Sequence, residues 1–327
     1  MNHKRRILIS SASALTMLIL ILDAKTAFNG ALDGIKMCIY SVVPALFPLI
    51  FLSFLVRSGI HEISFRMLNP IKKLCKLPIG GETLFLLGIL SGYPVGAQSI
   101  AEAYKCGQLD KSTAKRMLAF CNNAGPAFIF GIISKLFTSA YTVWLLWLVH
   151  ILSAIIVGII LPGKHCNEIR LPKGNSLTIQ KAIIKSIGTI ATICGWVILS
   201  RVLIAICMRW FLWLLPQLAQ ISIIGAIEMT NGFHELANIE NEALRFIISA
   251  CFLSFGGLCV TMQTLSVADH LSIGMYIPGK LLQLITSLLL ASIFSVFISV
   301  GESRSLLMFS TFFIVAFVAI FNFSTKK

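Results

Sequence analysis

Ser91-Gly92-Tyr93-Pro94-Val95-Gly96 interrupts an otherwise helical stretch, standing between the apolar run Thr83 to Leu90 and a second helix-like segment, Ala97 to Tyr104. Glycine and proline at this density stop a helix, because one leaves the backbone unrestrained and the other lacks the N–H that the next turn needs. The segment Glu82 to Lys105 is therefore too short and too broken to cross a bilayer core of roughly 30 Å once. Lys72, Lys73 and Lys76 precede it, and Lys105, Lys111, Lys115 and Arg116 follow it. Cytoplasmic loops collect Lys and Arg, so both ends are expected on the cytoplasmic side. The segment then reads as a re-entrant helical hairpin whose tip lies inside the membrane.

The remainder of the chain supplies the membrane around that hairpin. Of 327 residues, 57% are apolar and 12% charged, with a mean hydropathy of +0.89, outside the range of soluble globular domains. Full spans are expected at 7–22, 37–56, 140–161, 187–207, 281–300 and 305–323. The first is read as uncleaved, because Asp23 and Lys25 follow it without a small-x-small cleavage site. Lys164, Arg170, Lys173, Lys181 and Lys185 make the loop after residue 161 cytoplasmic as well. The fold class is an all-α integral membrane protein, a single membrane domain with about eight crossings and two re-entrant hairpins.

The formal charge of +14 sits in short loops between apolar runs, which is membrane topology and argues against a nucleic-acid partner. Nine cysteines occur singly, without CxxC or Cys/His spacing, so no metal, cofactor or disulfide framework is expected. Their expected place is as reduced apolar fillers.

A second set of breaks follows the first. One helix is interrupted at Asn122-Asn123-Ala124-Gly125-Pro126 and resumes to Phe137; another apolar stretch, Ile221 to Ile227, breaks at Glu228-Met229-Thr230-Asn231-Gly232; and a helix from about Ala243 breaks at Ser254-Phe255-Gly256-Gly257. Gly88-Ile89-Leu90-Ser91 aligns with Gly225-Ala226-Ile227-Glu228, and Phe120 to Gly125 with Phe252 to Gly257. One hairpin enters from the cytoplasm and the other from an acidic outer loop holding Glu235, Glu240 and Glu242. Repeat A (about 37–161) and repeat B (about 187–300), flanked by spans 7–22 and 305–323, are thus expected to form an inverted pair with a binding site at mid-depth.

Unwound backbone in lipid leaves N–H and C=O groups without partners, which is costly unless protein, water or a ligand satisfies them. Half-helices that start after Gly96, Gly125 and Gly257 point partial positive charge toward the centre, where an anion would be favoured. The candidate substrate-binding residues are therefore Ser91, Gly92, Tyr93, Pro94, Gly96, Asn122, Asn123, Gly125, Thr230, Asn231, Ser254, Gly256, Gly257 and Gln263. The bland alternatives stay open: glycine and proline as simple kinks, the asparagines as glue between helices, Ser91 bonded to its own helix, Tyr93 as a packing ring rather than a gate. Glu228 is the acid at a membrane-depth break. It either exchanges a proton during transport or pairs with Arg201 on the preceding span.

Taken together, Ser91 to Ala97, Asn122 to Pro126, Glu228 to Gly232 and Ser254 to Gly257 with Gln263 resemble the YlbJ family (also called SpoVV), sporulation membrane proteins with nucleoside-recognition Gate domains. The resemblance implies a multi-pass protein of the bacterial inner membrane, in sporulating cells the outer forespore membrane, that helps to move dipicolinic acid. Gln98 departs from the pattern, standing where the family is expected often to carry a lysine; this removes a cation that could have met the anion.

The expected function is transport of a small anionic solute, with the lipid bilayer as surroundings and homo-oligomerisation left open. Nucleoside transport and a non-transporting sporulation scaffold are the alternatives. An intramembrane enzyme is disfavoured, because the sequence lacks a paired-aspartate, HExxH or GxSxG constellation and His150 lies in an ordinary span.

Overall fold

The computed structural model describes residues 3–59, 68–163, 178–268, 270–272 and 274–299. Among the described residues the chain is helical, with no strand. It opens with α1 (His3–Leu22) and α2 (Ala24–Met37), and α2 runs through a wide, five-residue turn at Cys38–Val42 into α3 (Val43–Gly59). The short α4 (Asn69–Leu74) leads to α5 (Gly81–Ser91) and α6 (Val95–Lys105). Next come α7 (Lys111–Cys121), the six-residue α8 (Pro126–Gly131), a single tight turn at Ile133–Leu136 and α9 (Ala140–Ile160). The second half consists of α10 (Ile179–Trp210), α11 (Gln217–Ile227), α12 (Met229–Leu236), α13 (Glu242–Phe255), α14 (Gly257–Val267) and α15 (Tyr276–Ser299).

Local chemistry sets most of these boundaries. Asp110, Ser139, Thr178 and Asn241 each cap the helix that follows with a side-chain oxygen on a free first-turn N–H, as in Asp110 to Ser112 N (2.8 Å) and Asn241 to Leu244 N (2.9 Å). At the other end, α5 stops at Gly92 (φ 79°) and α13 at Gly256 (φ 77°), a conformation that glycine reaches without cost.

Five stretches are long and apolar enough to cross a bilayer: Ala24–Val56, Ala140–Ile160, Ile179–Trp210, Glu242–Val267 and Tyr276–Ile298. The protein is thus an all-α membrane protein by helix length and composition. The expected count of eight crossings is not reached among the described residues. Within α1 the described apolar stretch is Ser10–Leu22, and the expected span at 305–323 lies outside the described residues, as do residues 164–177 with Lys164, Arg170 and Lys173. The expected second span at 37–56 is part of a longer rod, because α2 extends it back to Ala24. Arg116, read from the sequence as a cytoplasmic loop charge, is instead buried. It donates to the carbonyls of Cys75 (2.5 Å), Gly158 (2.6 Å) and Leu161 (3.1 Å), closing the end of α9.

Two helical hairpins have the same internal construction. In the first, Gly88 and Gly96 stand four residues on either side of Gly92. A Cβ at Gly96 would lie 3.0 Å from the Gly88 Cα and 2.6 Å from the Cys121 carbonyl oxygen. In the second, a Cβ at Gly232 would lie 2.4 Å from the Gly225 Cα and 2.8 Å from the Phe252 ring. Each hairpin thus closes through a pair of glycines and packs that crossing on the end of the next helix, α7 or α13. Small residues at such crossings are what allow helices to approach without side chains between them.

The α2–α3 rod lies along α10. Gly30 and Gly34 allow backbone contact there, since a Cβ on Gly34 would come within 2.9 Å of the Ile198 Cα. Every fourth residue onward, Cys38, Val42, Leu46, Ile50 and Phe54, is buried.

Candidate functional site

Three of the four breaks line one cleft, and the fourth packs against two of them, Gly256 beside Tyr93 and Gly257 on the carbonyls before Glu228. Gly92 and Tyr93 from the first break, Ala124 and Gly125 from the second, and Glu228 to Thr230 from the third line it together with Val260 and Gln263, which follow the fourth. Val42 and Leu46 from the α2–α3 rod and Ile193 and Val197 from α10 add apolar lining. The space between its atoms is about 440 Å³, counting the open mouth.

The breaks touch in pairs. A Cβ on Gly92 would sit 2.8 Å from Gly125 N, and one on Gly257 would sit 3.1–3.2 Å from the carbonyls of Gly225, Ala226 and Ile227. Tyr93 ties one pair to the other: its hydroxyl donates to the Leu253 carbonyl at 2.5 Å.

The third and fourth breaks are narrower than the sequence suggests. Only Glu228 separates α11 from α12, and only Gly256 separates α13 from α14, so Thr230, Asn231, Gly232 and Ser254 lie within helices. Glu228 explains the first of these. Its carboxylate accepts from Thr230 N (3.0 Å), Asn231 N (2.8 Å) and Asn231 Nδ2 (2.8 Å), and so starts a new helix without intervening residues.

Glu228 does not pair with Arg201. That guanidinium lies 3.6 Å from Asp33 on α2, because the close glycine contact at Gly30 and Gly34 brings α2 against α10. Glu228→Gln is therefore expected to weaken the α12 cap by about 1 kcal/mol, and adding Arg201→Met is expected to bring no rescue. Arg201→Met alone should change stability by less than about 1 kcal/mol, since both partners are partly exposed. Thermal melting of the two single variants and the double variant in one detergent measures all three values. Rescue in the double variant would reinstate the pair.

Asn122 and Asn123 are fully buried behind the cleft, and their amides are occupied by protein partners. Asn122 Oδ1 accepts from Ala97 N (3.2 Å), the start of α6, and its Nδ2 donates to Thr264 Oγ1 (2.9 Å). Asn123 donates to the Phe120 carbonyl (2.7 Å) and accepts from Gln283 Nε2 (3.0 Å). The half-helix ends are thus largely satisfied from within: α6 by Asn122, α12 by Glu228, and the second break by His150, whose Nε2 accepts from Ala124 N at 3.0 Å. The start of α14 has no side-chain cap. Ser254 Oγ and Asn231 Oδ1, two of the expected site atoms, are buried without a hydrogen-bond partner. Ser91, Pro94 and Gly96 shape the first hairpin around the cleft and do not line it.

Sequence reasoning missed the centre of this network. Lys280, near the start of α15, is 1% exposed. Its ammonium donates to the Asn122 carbonyl (2.5 Å) and to Gln283 Oε1 (2.8 Å), and it lies 5.4 Å from the centroid of the Tyr93 ring and 5.9 Å from that of Tyr276. A charge set just before an apolar run reads as a membrane-boundary residue; the only available signal was its neighbour Gly279, which lets α15 approach Ala119 on α7. No group of three or more His, Cys, Asp or Glu suited to a metal occurs among the described residues.

With this geometry in view, a comparison with known proteins is informative. The chain is 30% identical over 138 residues to the "Sporulation integral membrane protein YlbJ" of Bacillus subtilis (strain 168). The chain is similar to a sporulation membrane protein. The matched stretch covers 41% of this chain and 34% of YlbJ, so the chain spans about a third of the length of the curated relative it matches. The likeness to the YlbJ family expected from the motifs is therefore found over part of the chain. No family profile matches the chain, and no solved structure matches it.

Proposed function

We propose that this membrane protein is a carrier for a small organic anion, and not an enzyme. The observation that supports this most is that three helix breaks line one cleft while the fourth packs against them, since interrupted helices at membrane depth are tolerated where they line a cavity. The glycine crossing repeated in the two hairpins supports an inverted pair of halves, with both hairpins re-entrant and the cleft between them. Tyr93, hydrogen-bonded across to α13, is then the contact that must break for one half to move against the other. Glu228, at the cleft wall, is assigned to coupling: a proton on one carboxyl oxygen would weaken its bonds to the Thr230 and Asn231 donors and loosen α12.

By resemblance the proposed solute is dipicolinic acid and the proposed setting is the outer forespore membrane; the sporulation name of YlbJ supports the setting. The test is uptake of labelled dipicolinate into proteoliposomes, measured beside a nucleoside panel and protein-free vesicles. Saturable dipicolinate uptake without nucleoside uptake is expected. The reverse would make the chain a nucleoside carrier, and uptake of neither would favour a sporulation scaffold.

A further inference from the structure

We infer that Lys280 is the anion-binding group of the cleft, a lone ammonium screened by the Tyr93 ring that takes one carboxylate of the solute when the ring turns aside. This rests on the anion-carrier reading and adds to it the residue that supplies the opposite charge.

Among the described residues, the surroundings of Lys280 hold no opposite charge. A lysine ammonium has three donors. Here two go to neutral oxygens, of Asn122 and Gln283, and the aromatic faces of Tyr93 and Tyr276 lie beside it. Among the described residues no Asp or Glu lies within ion-pair distance of it. A buried charge without a counter-ion is costly, and more so at membrane depth. Tying off the Asn122 carbonyl would need only a neutral donor, so the charge itself is left without a structural task. The partly negative end of α7 offsets some of its cost.

The second strand is position. Tyr93 belongs to two places at once: its ring centroid lies 5.4 Å from the Lys280 ammonium, and the residue is part of the cleft lining. The ammonium is therefore one residue removed from the cleft lining. The hydroxyl bond to Leu253 holds the ring there, and the adjoining Gly92, at φ 79°, gives the backbone beside it more freedom than other residues would. The third strand is chemistry. The cleft lining includes the apolar Val42, Leu46, Ile193 and Val197. A solute with a flat or apolar body and a carboxylate directed at Tyr93 fits them. Gln98 supplies no cation here, and Lys280 reaches the centre from the other half of the chain.

The experiment uses the full chain in lipid nanodiscs and trinitrobenzenesulfonate, a flat aromatic anion that modifies lysine amines. Modification of Lys280 is followed by peptide mass spectrometry, with the exposed Lys111 as reference. Tyr93→Phe keeps the ring but removes the bond to Leu253, and should speed modification of Lys280 about fivefold, the worth of one hydrogen bond. Tyr93→Ala should speed it further. If Tyr93→Ala is not recovered folded, the phenylalanine variant carries the test. In parallel, Lys280→Met should weaken binding of pyridine-2,6-dicarboxylate about tenfold to a hundredfold and leave binding of the neutral dicarboxamide unchanged. Lys280 unmodified in the Tyr93 variants while Lys111 reacts, or dicarboxylate binding unaffected by Lys280→Met, would overturn the inference. If labelling follows the prediction but vesicles take up no solute, the anion site stands and the carrier reading fails.

Discussion

Gly88→Ala is expected to destabilise the protein strongly, although it adds one methyl group to an apolar helix. The new Cβ would lie 1.7 Å from the Cys121 carbonyl oxygen, and that oxygen is backbone at the end of α7, fixed by the break that follows. A flexible side chain could turn away; this carbonyl cannot without opening the crossing of α5, α6 and α7. Overpacking ordinarily costs about 1–3 kcal/mol, and a clash with backbone belongs at or above the top of that range. The apparent melting temperature in mild detergent should fall by roughly 10 °C or more. The contrast is Gly188→Ala or Gly195→Ala in α10, where a Cβ meets nothing within 4 Å. There the same change should stabilise by about 0.5–1 kcal/mol, because alanine restricts the helix less wastefully than glycine. Fluorescence-detected size-exclusion chromatography over a temperature ramp compares all three. A Gly88→Ala protein that melts like the parent would mean that the first hairpin does not close on α7 as described.

Asn122→Leu is the second large effect, and its direction separates two uses of the same amide. In this structure the side chain holds the start of α6 and the middle of α14, so leucine strands the Ala97 N–H and removes a partner of Thr264. A buried polar group left unpaired costs about 1–3 kcal/mol; Thr264 keeps its bonds to Val260 and Tyr276, so the stranded Ala97 N–H sets a loss of about that size. The expected result is a lower melting temperature, with solute affinity falling only as the fold loosens. A variant that melts normally yet fails to bind pyridine-2,6-dicarboxylate would instead show that the amide meets the solute directly.

The sequence makes the helix breaks visible because the residues that stop helices are few and conspicuous. Gly92 with Pro94, and Asn122 through Pro126, mark the ends of α5 and α7 to within a residue. It is less informative where a single side chain replaces a loop. Glu228 looked like a functional acid, but a carboxylate with backbone N–H groups two and three residues ahead can also begin a helix, which shortened the third break to one residue. Partners distant in the chain leave no periodic trace. Lys280 bonds to a carbonyl 158 residues away, and His150, within an apolar span, serves a backbone N–H on another element. Arg201 was matched to Glu228 by depth alone, whereas two glycines four apart on α2 decided its neighbour.

The wide turn at Cys38–Val42 has a geometric consequence for the longest rod. The buried positions Gly30, Gly34, Cys38, Val42, Leu46, Ile50 and Phe54 recur every four residues. At 3.6 residues per turn each such step advances about 40° around the axis, so an unbroken helix would carry the last position about 240° from the first, onto its opposite side. A wide turn accommodates one additional residue, about 100° of rotation, and takes that much back. The stripe then sweeps about 140° instead. A single straight run of small and branched residues can in this way meet the α10 backbone at its glycine end and still present Val42 and Leu46 to the solute space. The five-residue turn acts as a phase correction, keeping one seam facing inward along the rod.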